Sequence, residues 1–167
     1  MEVPQQFLLF QLAARLCALP LAVVERVLPA LEITPLPAAP AAVSGIVNLG
    51  GEVVPVFALR HRFGLAERPV KLSDRLIVAQ TTGTRLARRV ALLVDEVKDV
   101  ITVQADQLTD TQPVAEAPPW VPGLHLVKGV LQVADELAVI HDLDVFLSAA
   151  ELVELAAALQ PQHEQDQ

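Results

Sequence analysis

The chain has 167 residues and a mass of 18.0 kDa, room for one domain with a sizeable core or for two small lobes that share one. Apolar residues make up 53% and aromatic residues only 4%, so the core must be built from Val, Leu, Ile and Ala, while 19% charged residues leave apolar surface for partners. A net charge of −8 argues against nucleic acid and anionic lipid as partners, and the single Cys17 excludes an internal disulfide or a cysteine metal cluster.

The start, "MEVPQQ", is acidic and does not read as a signal peptide. The longest uncharged stretch, Ile33 to Gly51, is broken by Pro35, Pro37, Pro40, Gly45 and Gly50, too often for a membrane helix. A cytoplasmic protein without direct membrane insertion is expected.

In chain order, "FLLFQLAARLCAL" (Phe7–Leu19) reads as two strands joined near Ala13–Ala14. "LAVVERVL" (Leu21–Leu28) places Val23, Val24, Val27 and Leu28 at helical spacing, and Pro20 and Pro29 confine it to a short helix. Pro29–Ala42 is a loop with room for one helical turn. "GIVNLGGEVVPVF" reads as strand, tight turn, strand, because Gly50 and Gly51 can supply positive backbone angles. Pro55 implies an edge strand or a bulge, since it has no N–H for a ladder. "ALRHRFGL" closes this unit with a helical turn ended by Gly64.

Leu76–Gln80 and Val90–Val94 are strands joined around Thr82–Gly83, and Val97, Val100, Ile101 and Val103 form a further strand. Pro113–Gly123 is a proline-rich loop in which Trp120 is an anchoring plug or a partner contact. Asp144–Leu159 is an amphipathic C-terminal helix that turns Phe146, Leu147, Leu152, Leu155 and Leu159 to the core. Residues 160–167 are a polar tail.

One pattern occurs twice. Val43–Phe63 and Val127–Leu147 align without a gap: Val43 on Val127, Gly45 on Gly129, Glu52 on Glu136 and Leu59 on Leu143. A duplicated strand pair among many short strands points to an all-β protein with short helices. The expected arrangement is two related small barrels packed on each other, as one domain over residues 5–159.

No reactive constellation stands out. His61, His125, His141 and His163 are neither paired nor at metal-ligand spacing, and Ser44, Ser73 and Ser148 lie in no nucleophile elbow. "GIVNLGG" lacks the residues of a phosphate cradle. Asp95, Glu96 and Asp99 read as solvent-facing carboxylates, and Arg85, Arg88 and Arg89 as a solvated strand end. The expectation is no metal, no cofactor and no catalysis, hence an adaptor.

Three segments in order resemble the CheW-like coupling proteins of bacterial chemotaxis, which share their fold with the regulatory domain of the kinase CheA. In "GIVNLGGEVVPVFALR" the matching residues are Gly45, Asn48, Leu49, Gly51, Val54, Pro55, Leu59 and Arg60. In "VALLVDEVKDVI" they are Val90, Val94, Asp95, Val97 and Val100. In "VKGVLQVADELAVIHDLDVFL" they are Lys128, Gly129, Leu137, Ile140, Asp142 and Leu143. The resemblance implies two SH3-like five-stranded barrels around a shared core. It also implies a scaffold that couples the cytoplasmic tip of a chemoreceptor to the regulatory domain of a CheA-type histidine kinase.

The candidate partner-binding residues it gives are Gly45, Asn48, Leu49, Gly50, Gly51, Val53, Val56, Leu59 and Arg60. Of these, Val53, Val56 and Leu59 are expected to stay exposed as an apolar patch facing the kinase. The chain departs from the pattern at Gly50, where the family usually has arginine, and at Ala58, Ala91 and Glu96. The missing arginine implies weakened receptor contact. It keeps open a divergent array component that binds a kinase without standard receptor coupling. A reading of another class is a small ligand-binding barrel or enzyme using the hollow between the lobes.

Overall fold

The computed structural model describes residues 4–30, 33–35, 43–62, 65–66, 68–80, 89–104, 108–109, 127–133 and 135–141. In chain order these form β1 (Gln5–Leu12), β2 (Arg15–Pro20), a 3-10 turn (Leu21–Val23), β3 (Val24–Pro29), β4 (Val43–Leu49), β5 (Glu52–Ala58), the one-turn helix α1 (Leu59–Arg62), β6 (Arg75–Gln80), β7 (Arg89–Val94), β8 (Glu96–Val103), β9 (Leu108–Thr109), β10 (Val127–Val133) and β11 (Glu136–His141). The expected C-terminal helix and the Trp120 loop lie outside the described residues.

The strands build two sheets. One has the order β8-β1-β2-β11-β10-β9, the last strand contributing only two residues; the other has the order β3-β6-β7-β5-β4. In the five-stranded lobe, Thr34, just beyond β3, exchanges both backbone hydrogen bonds with Ile46 on β4, each 2.8 Å. That bridge brings the two edges together and curls the sheet toward a barrel.

Each lobe has its own interior, and a third core lies between them. Val47, Val54, Val56, Leu76 and Ala91 fill the five-stranded lobe. Phe7, Leu9, Leu16, Ala18, Leu131 and Ile140 fill the other. The opposite faces of the same strands meet at the lobe–lobe contact, where Leu8, Phe10, Cys17 and Leu19 pack with Phe57, Ile77, Val90 and Leu92. Strands buried on both faces read as unbroken apolar runs, which is the pattern of Leu76–Ala79 and Val90–Val94.

The duplication extends beyond the hairpin seen in sequence. β4 pairs with β5 as β10 pairs with β11: Val43 faces Phe57 and Val127 faces His141, with a bulge before Gly45 and another before Gly129. Val56 then pairs in parallel with Ala91, and Ile140 with Ala18, so β7 corresponds to β2, β6 to β1, and β3 to β8. The corresponding strands are exchanged between the lobes. β1 and β2 lie in the six-stranded sheet and β3 crosses to the five-stranded one, whereas β6 and β7 lie in the five-stranded sheet and β8 crosses back.

Two expectations are corrected here. Val24–Pro29 is a strand, β3, preceded by a single 3-10 turn at Leu21–Val23, and not a short helix. The reason is a bulge: Val24 pairs with Ala79 and Arg26 with Val78, leaving Glu25 as the extra residue. Two residues against one stretch strand alternation into a three-residue spacing that mimics a helix. Pro55 lies on β5, which is not an edge strand, since β4 and β7 flank it, but the alternative expectation of a bulge is met beside it, where the β4–β5 register shifts between Val43 and Gly45 opposite Phe57 and Val56. The proline is tolerated because pairing with β7 begins only at Val56.

Cys17 is fully buried in the shared core. Burial pushes its thiol up to about 12, with nearby Arg15 opposing weakly and Asp95 reinforcing the shift. The expected result is a thiol inert to an aromatic disulfide reagent in the folded protein and fully reactive in denaturant. Stoichiometric labelling of folded protein, faster than global unfolding, would contradict the burial.

Candidate partner interface

The candidate residues cluster on the β4–β5 hairpin of the five-stranded lobe. Its turn is built by Gly50 at φ +61° and Gly51 at φ +95°, conformations that glycine adopts without steric cost. The Gly51 N–H donates to the Asn48 side-chain oxygen at 2.8 Å and fixes the turn. Asn48, Gly50, Gly51 and Val53 are exposed, while Leu49 is half-buried against the lobe interior.

The expected apolar patch survives only in part. Val53 is 48% exposed, but Val56 and Leu59 are buried and contribute to cores. Val56 points into the barrel beside Val54, and Leu59 joins the lobe–lobe core. Gly45 is also buried, and its role is packing: a Cβ there would lie 2.3 Å from the Thr34 carbonyl oxygen and 2.9 Å from Ile33 Cγ2. The other lobe's equivalent of Val53 is Leu137 on β11, 61% exposed. Exposed apolar residues also correspond on the crossing strands, Val27 on β3 and Val100 on β8.

Arg89 closes the same end of the lobe. Its Nε and Nη2 donate to the two Glu25 carboxylate oxygens at 2.8 and 2.7 Å, and Nη1 donates to Glu52 at 2.5 Å. One guanidinium on β7 thus ties β3 to β5, so this strand end is more than a solvated basic group. The paired guanidinium holds the Glu25 carboxyl below the usual carboxylate range.

Arg60 belongs to a different constellation. Asp95, at the crossing from β7 to β8, accepts from Arg60 Nε at 3.2 Å and Nη2 at 2.5 Å, from Arg68 Nη2 at 2.9 Å, and from the Ala13 backbone N–H at 2.7 Å. Asp95 is therefore not a solvent-facing carboxylate; it joins the β1–β2 turn of one lobe to α1 of the other. Arg68 also forms a two-pronged pair with Asp74, both bonds 2.8 Å, and the Lys71 N–H adds a third at 2.8 Å. A cavity of about 290 Å³ opens beside Ser44, Arg60, Arg68, Asp74 and Asp95. Both of its arginines are already matched to carboxylates, which does not favour the reading of a ligand-binding barrel.

Asp74 is 2% exposed, and burial alone would raise its pKa. The Arg68 fork and the Lys71 amide outweigh that, so its carboxyl sits below the usual value. A depressed folded-state pKa contributes stability that is complete above the unfolded value of about 3.9 and lost as pH falls through the folded one. The urea midpoint should be level in this respect from pH 7 to 5 and fall below about pH 4. Asp74→Asn should lower the midpoint at pH 7 and shrink the acid limb; superimposable limbs would remove Asp74 as its source.

Two strand-exchanged lobes packed on a shared core define the class: a double β-barrel with an exposed hairpin turn at the end of one lobe. Comparison with known proteins identifies the family. The sequence model described as the CheW-like domain matches residues 6–151. A chemotaxis protein CheW from Treponema pallidum is 26% identical over 90% of this chain and 86% of its own length. Another from Rhizobium meliloti is 38% identical over 49% of the chain and 50% of its own length. Among solved structures, a scaffolding protein CheW from Thermoanaerobacter tengcongensis superposes with a TM-score of 0.75 at 27% identity, covering 89% of this chain and 96% of that one. The chain belongs to the CheW-like domain family.

Proposed function

We propose that this protein is a cytoplasmic adaptor that couples chemoreceptors to a CheA-type histidine kinase. Relatives named as chemotaxis and scaffolding proteins support that reading. The observation that carries it is the matched exposure of Val53 and Leu137, one at the same position of each lobe. An adaptor needs two surfaces in fixed relation, and an exposed apolar residue on each of two fused lobes provides them. The kinase regulatory domain is assigned to the Val53 end, as an apolar contact.

Titration of the purified protein against a kinase regulatory domain and against a soluble receptor hairpin tests this. Val53→Asp should weaken kinase binding by about tenfold or more without loss of fold, since a charge would enter an apolar contact. Binding to neither partner would sink the adaptor reading.

Gly50 favours a variant in which kinase contact is kept and receptor contact is weak. Nothing lies within 4 Å of a Cβ built at Gly50, so an arginine fits, at a backbone cost of about 1 kcal/mol for φ +61°. Gly50→Arg should tighten receptor-hairpin binding by about ten- to a hundredfold. Equal affinities of two folded proteins would mean that this position makes no receptor contact.

A further inference from the structure

We propose that Arg89 is a positioning residue that fixes the Val53 docking surface by clamping the β4–β5 hairpin to β3. This rests on the adaptor reading above. Val53 follows Glu52, and Glu52 is the hairpin residue that Arg89 grips. The other side of the grip is the two-pronged bond to Glu25, the bulged residue of β3. β3 and β5 are not neighbours in the sheet, because β6 and β7 lie between them. The clamp therefore spans the barrel end and adds a constraint that no backbone ladder supplies.

The matched end of the other lobe lacks it. Lys98 corresponds to Glu25, Leu16 to Arg89 and Glu136 to Glu52. The two hairpins thus share a strand register and differ in the residues that could clamp them. A planar fork with three donors engaged suits this task, whereas a lysine ammonium would hold one carboxylate at a time.

The clamp is open to water: Arg89, Glu25 and Glu52 side chains are 22%, 39% and 54% exposed. Its effect on global stability is therefore small, and its effect on the turn is local. The test combines amide hydrogen exchange across Gly50–Val53, affinity for a kinase regulatory domain, and thermal melting, on full-length protein. In Arg89→Gln, exchange at the turn should rise about three- to fivefold and affinity should fall, with the melt nearly unchanged. The double change Glu25→Gln with Glu52→Gln removes the clamp from its other side and should reproduce both effects. The conservative Arg89→Lys keeps the charge but holds one carboxylate at a time, so it should recover slow exchange and affinity together and only in part.

Wild type in 1 M salt should behave as Arg89→Gln, whose exchange should be insensitive to salt. Turn exchange that is unchanged in both clamp-free variants overturns the proposal. So does faster exchange with undiminished affinity. If wild type binds no kinase domain, the adaptor reading fails, and the exchange data alone decide whether Arg89 holds the hairpin.

Discussion

Gly45→Ala is expected to destabilise the protein by about 1–3 kcal/mol, the range for forcing one methyl into a filled site. The added Cβ would meet the Thr34 carbonyl oxygen at 2.3 Å, and that oxygen accepts the Ile46 N–H. Relief requires the Ile33–Pro35 segment to lift away from β4, which breaks the bridge that closes the barrel. Gly45→Val should abolish folding at ordinary temperatures. Gly50→Ala is the contrast, because its Cβ would meet open space and only the positive φ opposes it. Thermal melts of the three variants decide the matter. A Gly45→Ala protein as stable as wild type would show that the Thr34 contact is not held in solution.

Asp95→Ala should cost about 1–3 kcal/mol, between the worth of an exposed ion pair and the loss of one partner from a buried one. Its carboxylate is 19% exposed and serves Arg60, Arg68 and the Ala13 amide at once. Without it two guanidinium groups face each other, and the Ala13 turn, at φ +55°, loses the acceptor that holds it. Asp95→Asn should fall between, because it keeps an oxygen for Ala13. Arg60→Ala should cost less, since Arg68 still neutralises the carboxylate. Denaturant unfolding measures all three. A loss below about 0.5 kcal/mol for Asp95→Ala would reduce the network to the status of a surface ion pair.

How far the sequence speaks is best judged strand by strand. The β4–β5 hairpin is legible from its turn of two glycines, and β10–β11 from the gapless repeat that lays it on β4–β5. β8 was legible and β3 was not, although "VERVL" and "VKDVI" are the same unit. The bulge at Glu25 imposes a three-residue spacing on valines that face one way, and Pro20 and Pro29 flank it as they would a short helix. Aligning Val24, Val27 and Leu28 with Val97, Val100 and Ile101 would have exposed the second repeat.

At the candidate site, the turn residues are readable from composition, but exposure is not. Val53 and Val56 lie on opposite faces of one strand, and both faces of that strand meet cores somewhere along it. Only the packed structure shows that the outer face reaches solvent at Val53. Arg60 and Asp95 each stand in a matching motif, yet their bond joins positions 35 residues apart, which no local pattern records.

The exchange of β3 and β8 makes the chain the equivalent of two copies of a five-strand unit that traded an arm and were then joined end to end. The first half of the chain supplies β1 and β2 to one barrel and β3, β4 and β5 to the other. Neither half is therefore a lobe: the five-stranded sheet is the continuous run from β3 to β7, set between the strands β1–β2 and β8–β11 of the other. Melting one barrel strips its twin of the core they share, Leu8, Phe10, Cys17 and Leu19 against Phe57, Ile77, Val90 and Leu92, so the two lobes are expected to share a single folding transition and a single fate.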